Sequence, residues 1–269
     1  MSFPKNFKLN TGAIIPILGL RTPTSRTPNK TLEATKAGLI GGARYIVSEY
    51  ALWNSRHRDV EDAFNETLSK LGVDYLDLYI MHWPIAFKYK KPETRLEDLY
   101  PKLPDTRELD IDSEVDFVDT WKQMEALLPS KKVKAIGVAN FTKPKLERLI
   151  KNSKVIPALL ETETHPYLLQ NKIHVSAHTS TGLSNRRGAS EKKVLVDDPT
   201  IKSIAEKNEI SPFKLLSAWA IQRGTTPVLP AINPERVNEV FDLKELTKED
   251  FEEISKLGET HTERYFTAN

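Results

Sequence analysis

Short apolar runs alternate along this chain with amphipathic stretches that have helical spacing. The clearest helical stretch is 57–71, where Val60, Ala63, Phe64 and Leu68 share one face and Gly72 supplies a stop signal. An apolar run at 75–81 follows at once and predicts a buried strand. Further strands are predicted at 17–20, 44–47, 133–138, 157–162, 173–177 and 228–229. Strands that alternate with helices over short connections are typical of a parallel sheet.

The remaining elements fit the same plan. Residues 7–16 alternate around Asn10, Thr11 and Gly12, which predicts an N-terminal β-hairpin. Helices are expected at 29–40, 117–128, 143–151, 199–222 with a break near Ser211, 235–240 and 248–257. The polar, proline-rich stretch 85–114 predicts a surface excursion at the C-terminal end of a strand. This number of strand and helix units predicts one domain, 1–269, and a sheet that closes into a (β/α)8 TIM barrel.

Two joints are too short for such a barrel. The chain passes from Ile46 to Trp53, and later from Tyr167 to Ile173, within a few residues. A parallel crossover needs about a dozen residues or more. The sequence therefore predicts an incomplete (β/α)8 barrel that lacks at least two crossovers. Apolar barrel surface would be uncovered unless neighbouring helices or another chain cover it.

Composition narrows the function classes. The 269 residues include 39 Lys plus Arg against 37 Asp plus Glu, a net charge of +2 that gives no support to nucleic-acid binding. There is no cysteine, so disulfides, thiolate nucleophiles and cysteine-based metal sites are excluded. The N-terminus lacks an apolar signal core, and no run approaches the roughly 20 apolar residues of a membrane span. We expect a cytoplasmic protein with no membrane partner.

Four motifs, in order, identify a family resemblance. They are Leu-Gly-Val-Asp-Tyr-Leu-Asp-Leu-Tyr-Ile-Met-His-Trp-Pro at 71–84, Lys-Val-Lys-Ala-Ile-Gly-Val-Ala-Asn-Phe at 132–141, Glu-Thr-His-Pro-Tyr at 163–167 and Asn-Pro-Glu-Arg at 233–236. With them the chain resembles the aldo-keto reductases nearly from end to end. The resemblance implies a (β/α)8 barrel, NADPH as cofactor and a small-molecule aldehyde or ketone as substrate.

The same resemblance implies where catalysis would occur. The family uses an Asp, Tyr, Lys and His tetrad, in which the tyrosine protonates the carbonyl oxygen. His82 matches the family histidine, and Trp83 beside it is a candidate substrate contact. Val47 stands at the aspartate position and Ala51 at the lysine position. Tyr50 is the candidate for the tyrosine if the alignment gap falls after it. A phenol is a poor acid at pH 7 unless a neighbouring charge lowers its pKa, so these replacements matter.

The cofactor positions implied by the resemblance are also altered. Asn140 matches a nicotinamide-carboxamide ligand, whereas Glu161 stands for a glutamine and His178 for the stacking tyrosine. Arg236 is left as the main ligand of the 2'-phosphate. Each lost charge-assisted phosphate contact costs about 1.5 to 3 kcal/mol. NADPH binding is therefore expected to be weakened or lost.

Three hypotheses follow. The first is an NADPH-dependent reductase of aldehydes or ketones whose activity is reduced or lost, because Val47 and Ala51 stand at tetrad positions. The second is a non-catalytic binding or interaction protein on a reductase scaffold. The third is an incomplete version of a longer reductase. The remaining histidines show no metal-ligand spacing, so no metal is expected, and the oligomeric state has no sequence signal.

Overall fold

The computed structural model describes residues 3–22, 28–48, 58–88, 102–106, 108–162, 172–178, 195–230 and 234–260. Its strands are β1 (Asn6–Lys8), β2 (Ile14–Pro16), β3 (Gly19–Thr22), β4 (Tyr45–Ser48), β5 (Leu76–Met81), β6 (Val133–Ala139), β7 (Leu159–Thr162), β8 (His174–His178) and β9 (Thr226–Pro230). Its α-helices are α1 (Pro28–Ile40), α2 (Val60–Leu71), α3 (Phe117–Leu127), α4 (Lys143–Lys151), α5 (Pro199–Lys207), α6 (Pro212–Gln222), α7 (Pro234–Glu239) and α8 (Lys248–Thr260).

The described strands form a hairpin and one parallel sheet. The hairpin pairs β1 with β2 in antiparallel fashion, as the sequence predicts. The sheet has seven described strands in the order β4-β3-β9-β8-β7-β6-β5 and curls into part of a barrel. Its two edges are β4 and β5, although these strands follow each other in the chain. No described strand lies between them. The prediction of an incomplete (β/α)8 barrel is confirmed.

Alternation along the strands separates an inner face from an outer face. On the inner face Leu78, Ala135 and Leu159 pack against Leu9 and Ile15 of the hairpin, which plugs the amino-terminal end of the barrel. The Asn10 side-chain amide fixes this plug, because it donates a hydrogen bond to the Pro157 carbonyl oxygen at 3.0 Å. The period of two in a strand is the reason why neighbouring residues face opposite sides.

The outer face of β5 and β6 packs against α2, α3 and α4. Trp121 is fully buried at the centre of this layer, near Phe64 and Met124. Its indole N–H donates to the Val155 carbonyl oxygen at 3.0 Å, so the buried polar group is satisfied. The helix α3 begins at Asp116, whose carboxylate accepts from the Val118 amide at 2.9 Å. The predicted helices on this side are confirmed.

The break predicted near Ser211 separates two helices. The Ser211 hydroxyl accepts from the Lys214 amide at 3.1 Å, and Pro212 follows as the first residue of α6. This is the arrangement expected of a helix N-terminus. The helices α5, α6 and α8 then share an apolar core that includes Ile201, Leu215 and Ile254.

The excursion 85–114 is less exposed than its composition predicts. Phe87 and Asp110 are both buried, and Phe87 pairs with Ile111 in an antiparallel bridge. The Lys88 amide donates to the Asp110 carbonyl oxygen at 2.9 Å. The described parts of the segment therefore cover apolar residues by pairing with each other, which composition alone did not indicate.

The helices within the described residues were also compared with the length and apolar character that a membrane span requires, and none of them meets both requirements.

A buried carboxylate joins α5 to α8. Asp250 is 1% exposed, and its two oxygens accept from the Lys207 ammonium at 2.8 Å and the Asn208 amide at 3.0 Å. Burial opposes ionisation, but these bonds together with the bond to Thr247 outweigh it and hold the pKa of Asp250 below its usual value.

We expect Asp250→Asn to lower the free energy of unfolding by about 1 to 3 kcal/mol at pH 7, since hydrogen bonds to a charged acceptor are lost. A carboxyl whose pKa is lowered on folding stabilises the fold above its unfolded pKa and loses that contribution as the pH falls. The difference between wild type and variant should therefore shrink below about pH 4. Denaturant unfolding at several pH values measures this effect. Glu252→Gln, an exposed change on α8 at a residue that lies 3.8 Å from Lys248, is the control, and an equal loss there would contradict the assignment.

Candidate active site

Polar side chains gather at the carboxyl ends of the parallel strands, where barrel enzymes place their chemistry. His82 follows β5 directly and Asn140 follows β6 directly. Glu161 lies in β7, and His178 is the last residue of β8. Arg21 of β3 completes the group. The sequence analysis named four of these five residues and did not name Arg21.

Asn140 connects the carboxyl ends of β5, β6 and β7 through hydrogen bonds. Its backbone has φ of 62°, in the left-handed region that asparagine tolerates better than most residues. Its side-chain amide donates to the His82 carbonyl oxygen at 2.8 Å, and its backbone amide donates to the Glu161 carbonyl oxygen at 3.0 Å. Asn140 therefore fixes the position of the segment that carries His82 relative to β7.

Arg21, His178 and Glu161 form a continuous hydrogen-bonded chain. The Arg21 Nη1 atom lies 2.8 Å from His178 Nε2, and His178 Nδ1 lies 3.2 Å from the Glu161 carboxylate. A guanidinium only donates, so His178 Nε2 must accept and the ring proton is on Nδ1, from which it is donated to Glu161. Both Glu161 and His178 are largely buried, with side chains 6% and 12% exposed. The chain places a cation and an anion on either side of one imidazole ring.

Two hydroxyl groups lie on the inner face of the sheet, close to Glu161. The hydroxyl oxygens of Tyr45 on β4 and Ser176 on β8 are buried and interact with each other, although neither makes a hydrogen bond of good geometry within the part of the chain that the structure describes. Burial raises the pKa of the Tyr45 phenol, the negative charge of Glu161 raises it further, and Ser176 opposes the change only in part. Tyr45 therefore stays protonated and is a poor proton donor for catalysis near neutral pH.

A cleft of about 850 Å³ opens between the edge strands β4 and β5. Its inner part is lined by Leu78, Ile80 and Val47, and its polar end is lined by Tyr45 and Glu161. The rim carries exposed apolar side chains, namely Ile14, Ile46, Leu71, Val73 and Tyr75. This cleft corresponds to the uncovered apolar surface that the short joint after Ile46 predicted.

The other predicted site residues have different outcomes. Trp83 lies beside His82, with ring centroids 6.2 Å apart. Val47, at the position of the family aspartate, lines the cleft, and its carbonyl oxygen accepts from the Thr22 hydroxyl at 3.3 Å. Tyr50 and Ala51 lie outside the described residues. Arg236 belongs to α7, and its side chain is likewise outside the description.

The sequence analysis did not name Arg21, Tyr45 or Ser176 as site residues. A charged residue at the carboxyl end of a barrel strand is a usable signal, and Arg21 meets it. Tyr45 and Ser176 have no comparable signal, because a tyrosine and a serine inside strands are ordinary core residues. Ser176 is the register partner of Glu161 in the pairing of β7 with β8, and the curvature of the sheet brings Tyr45 of β4 close to both.

Comparisons with known proteins bear on the family and the fold of this chain. The family model for "Aldo/keto reductase family" matches residues 46–185, just over half of the chain. The aldehyde reductase YPR1 of Saccharomyces cerevisiae is 34% identical over 291 aligned positions, which cover 94% of this chain and 91% of that protein. The NAD(P)H-dependent D-xylose reductase of Candida tenuis is 39% identical over 228 positions, covering 77% and 69% of the two chains.

The alignment with the yeast protein also bears on the short joints. Its 291 positions exceed the 269 residues of the whole chain, so the yeast protein has residues within the aligned region that this chain lacks. Among solved structures, the aldose reductase of Schistosoma japonicum superposes with a TM-score of 0.82 at 26% identity, covering 98% of this chain and 95% of that one. The chain belongs to the aldo/keto reductase family.

Proposed function

We propose that this protein is a single-domain, cytoplasmic relative of the NADPH-dependent aldehyde and ketone reductases in which carbonyl reduction is strongly reduced or lost. The observation that carries the proposal is Val47. Its side chain lines an apolar cleft at the position of the tetrad aspartate, and it can neither ionise nor accept a hydrogen bond. With Ala51 in place of the lysine, Tyr50 would lack the two groups that make a phenol an effective acid.

The nicotinamide end of the cofactor site supports part of this proposal. NADPH, when bound, would supply the hydride. Asn140 and Glu161 have side-chain oxygens that suit the amide group of a nicotinamide, and His178 provides an aromatic ring. The fit differs from the family pattern in one respect: Glu161 is an acceptor only, whereas the family glutamine both donates and accepts. Arg236 is the residue that we assign to the 2'-phosphate.

The substrate end keeps more of the family pattern. His82 is fixed by the bond between its carbonyl oxygen and Asn140, and Trp83 adds an aromatic surface beside it. We assign His82 to orient a small carbonyl compound and Trp83 to contact its apolar part. Binding of a carbonyl compound without efficient reduction is the expected behaviour of such a site.

A second candidate function is favoured by the cleft. A non-catalytic binding protein on the reductase scaffold would use the apolar surface between β4 and β5, where five exposed apolar side chains form the rim. A monodisperse monomer without exposed apolar patches in solution would contradict this candidate, whereas a protein that binds partners and shows no turnover would favour it over a slow enzyme. Mass spectrometry of the natural protein tests both candidates. If it finds peptides that this sequence lacks between Val47 and Ala51, the natural protein is a longer, ordinary reductase and both candidates are wrong.

Titration with NADPH and NADH, followed by quenching of tryptophan fluorescence, is the first test. We expect binding weaker by one to two decades than the micromolar range, since each lost phosphate contact costs about 1.5 to 3 kcal/mol. A residual preference for NADPH that disappears in Arg236→Ala would support the assignment of Arg236. Micromolar binding of NADPH would contradict the proposal that the cofactor site is weakened.

Glu161→Gln tests the charge at the nicotinamide end. Oxidised nicotinamide is positively charged and reduced nicotinamide is neutral, so a nearby carboxylate favours NADP⁺. We expect the variant to bind NADP⁺ more weakly relative to NADPH by about three- to tenfold, the effect of roughly 1 kcal/mol from a partly screened charge. Calorimetric titration with both forms measures the ratio. An unchanged ratio would place Glu161 away from the nicotinamide. Glu125→Gln, which removes a carboxylate from the distant α3, is the matched control.

Turnover with aldehydes and ketones tests Tyr50. We expect kcat to be lower by several decades than is usual for enzymes, whose values are commonly about 1 to 10³ per second. Any residual activity should be unchanged in Tyr50→Phe, because an unassisted phenol contributes little acid catalysis at neutral pH. Ready NADPH oxidation that Tyr50→Phe abolishes would overturn the proposal.

A further inference from the structure

The Arg21 side chain reaches across one strand at the carboxyl-terminal end of the barrel. Arg21 belongs to β3 and His178 to β8, and β9 lies between these two strands. On β9, Pro230 is the register partner of Arg21, and Val228 is the register partner of His178. The contact between Arg21 Nη1 and His178 Nε2, at 2.8 Å, therefore joins two strands that do not pair with each other.

This contact suits only one protonation state of His178. A guanidinium has N–H donors and no acceptor, so the bond requires a lone pair on His178 Nε2. A protonated imidazole carries an N–H group on both nitrogens and a positive charge. It would set a donor against a donor, and a cation against a cation, at the same place. The position of Arg21 therefore favours the neutral ring.

Glu161 has the opposite effect on the same ring. Its carboxylate lies 3.2 Å from His178 Nδ1, and a negative charge at this distance favours the protonated imidazole. Both side chains are largely buried, so water and salt screen the interaction only weakly. Without Arg21, Glu161 and His178 would form a buried ion pair. The protonation state of His178 is thus set by the balance between Arg21 and Glu161.

Other ionisable side chains lie on the elements around the ring, and they are neutral or more distant. They are Tyr45 on β4, His174 on β8 and His82 after β5. Tyr45 stays neutral because burial and the charge of Glu161 both raise the pKa of its phenol. His174 lies at the opposite end of β8, and His82 is separated from β8 by β6 and β7. The strand β9 carries no ionisable side chain. Arg21 and Glu161 therefore supply the two charges at the ring nitrogens.

The charge of this ring matters for the proposed cofactor site. This step rests on the proposed function, in which the family resemblance gives His178 the place of the ring that stacks on nicotinamide. Oxidised nicotinamide is positively charged, whereas reduced nicotinamide is neutral. An imidazolium against the nicotinamide would therefore weaken binding of NADP⁺ and leave binding of NADPH nearly unchanged. A neutral His178 avoids this repulsion.

We propose that Arg21 is a positioning residue, which keeps the His178 ring neutral, with its proton on Nδ1, under conditions in which Glu161 alone would make the ring an imidazolium. Its effect on a ligand passes through this ring. The site thereby presents a neutral aromatic surface although an arginine, a histidine and a glutamate meet there.

Nuclear magnetic resonance of the imidazole groups, in the whole protein without cofactor, tests the proposal directly. The His178 signal is identified by its absence in His178→Gln. Two-bond correlation between ring protons and nitrogens distinguishes the two neutral tautomers and the protonated ring. In wild type we expect the tautomer with the proton on Nδ1 at pH 8. The other tautomer, or a protonated ring at this pH, would overturn the proposal.

Two variants should move the titration midpoint of His178 in opposite directions. Arg21→Met removes the cation at Nε2 and should raise the midpoint by about one to two pH units, the equivalent of one charge-assisted hydrogen bond. Glu161→Gln removes the anion at Nδ1 and should lower the midpoint by about the same amount. Arg21→Lys keeps a cation and a donor, so its midpoint should lie nearer to the wild-type value. A side chain that only fills space would not produce opposite shifts.

Arg44→Met is the matched control. It makes the same substitution at an exposed arginine before β4, whose guanidinium donates to the Leu39 and Ala43 carbonyl oxygens. The His178 midpoint should stay at its wild-type value, because a distant exposed charge is screened by water and salt. An equal rise in both methionine variants, or no rise in Arg21→Met, would overturn the proposal. Arg21→Gln, which loses the charge and keeps a donor, should also raise the midpoint and replaces Arg21→Met if that variant does not fold.

Calorimetric titration with NADP⁺ and NADPH tests the link to the cofactor. In Arg21→Met the affinity for NADP⁺ relative to NADPH should fall by about three- to tenfold as the pH drops through the His178 midpoint of that variant. In wild type the ratio should stay constant over the same interval. Both nucleotides carry the same phosphates, so phosphate titration cancels in the ratio. A constant ratio in the variant would overturn the link between the ring charge and nicotinamide. If wild type binds neither nucleotide at any pH, the proposed cofactor site is wrong, and the resonance titration still decides the role of Arg21.

Discussion

Hydrogen bonding between neighbouring parallel strands is the constraint on which this structure depends. A closed barrel satisfies every strand edge, because each strand has two neighbours. Here the described sheet ends at β4 and β5, which are consecutive in the chain but lie at opposite edges. The described strands keep the curvature of a barrel, but the edge strands β4 and β5 do not pair with each other. The cleft and its apolar rim are both consequences of this one interruption.

The interruption also separates two parts of the ancestral site. Residues on β5 to β8 keep their mutual geometry, since Asn140 still joins the segment after β5 to β7 through two hydrogen bonds. The strand β4 is an edge of the described sheet, and it carries Val47, the residue that our proposal aligns with the family aspartate. Under the proposed function, the groups that position ligands are retained and the groups that transfer a proton are lost. Fold and activity are set by different residues.

The substitutions on the retained side are mutually consistent. A lone glutamate in place of glutamine, or a lone arginine in β3, would be a buried charge without a partner and would cost several kcal/mol. Together with His178 they form a chain in which each group meets a complementary one. Arg21, His178 and Glu161 thereby form one paired set at the ends of three strands.

The sequence by itself determined the order of strands and helices, the hairpin, and the shortage of chain after Ile46, because periodicity and connection length are local properties. Through its family resemblance it also indicated His82, Asn140, Glu161 and His178, which lie at or near the carboxyl ends of four strands. Tertiary structure alone decided that Arg21 meets His178, and that Tyr45 and Ser176 lie near Glu161. These residues are distant in the chain and become neighbours only when parallel strands pair in register and the sheet curls. No local pattern encodes that contact, because it depends on the pairing of four strands at once.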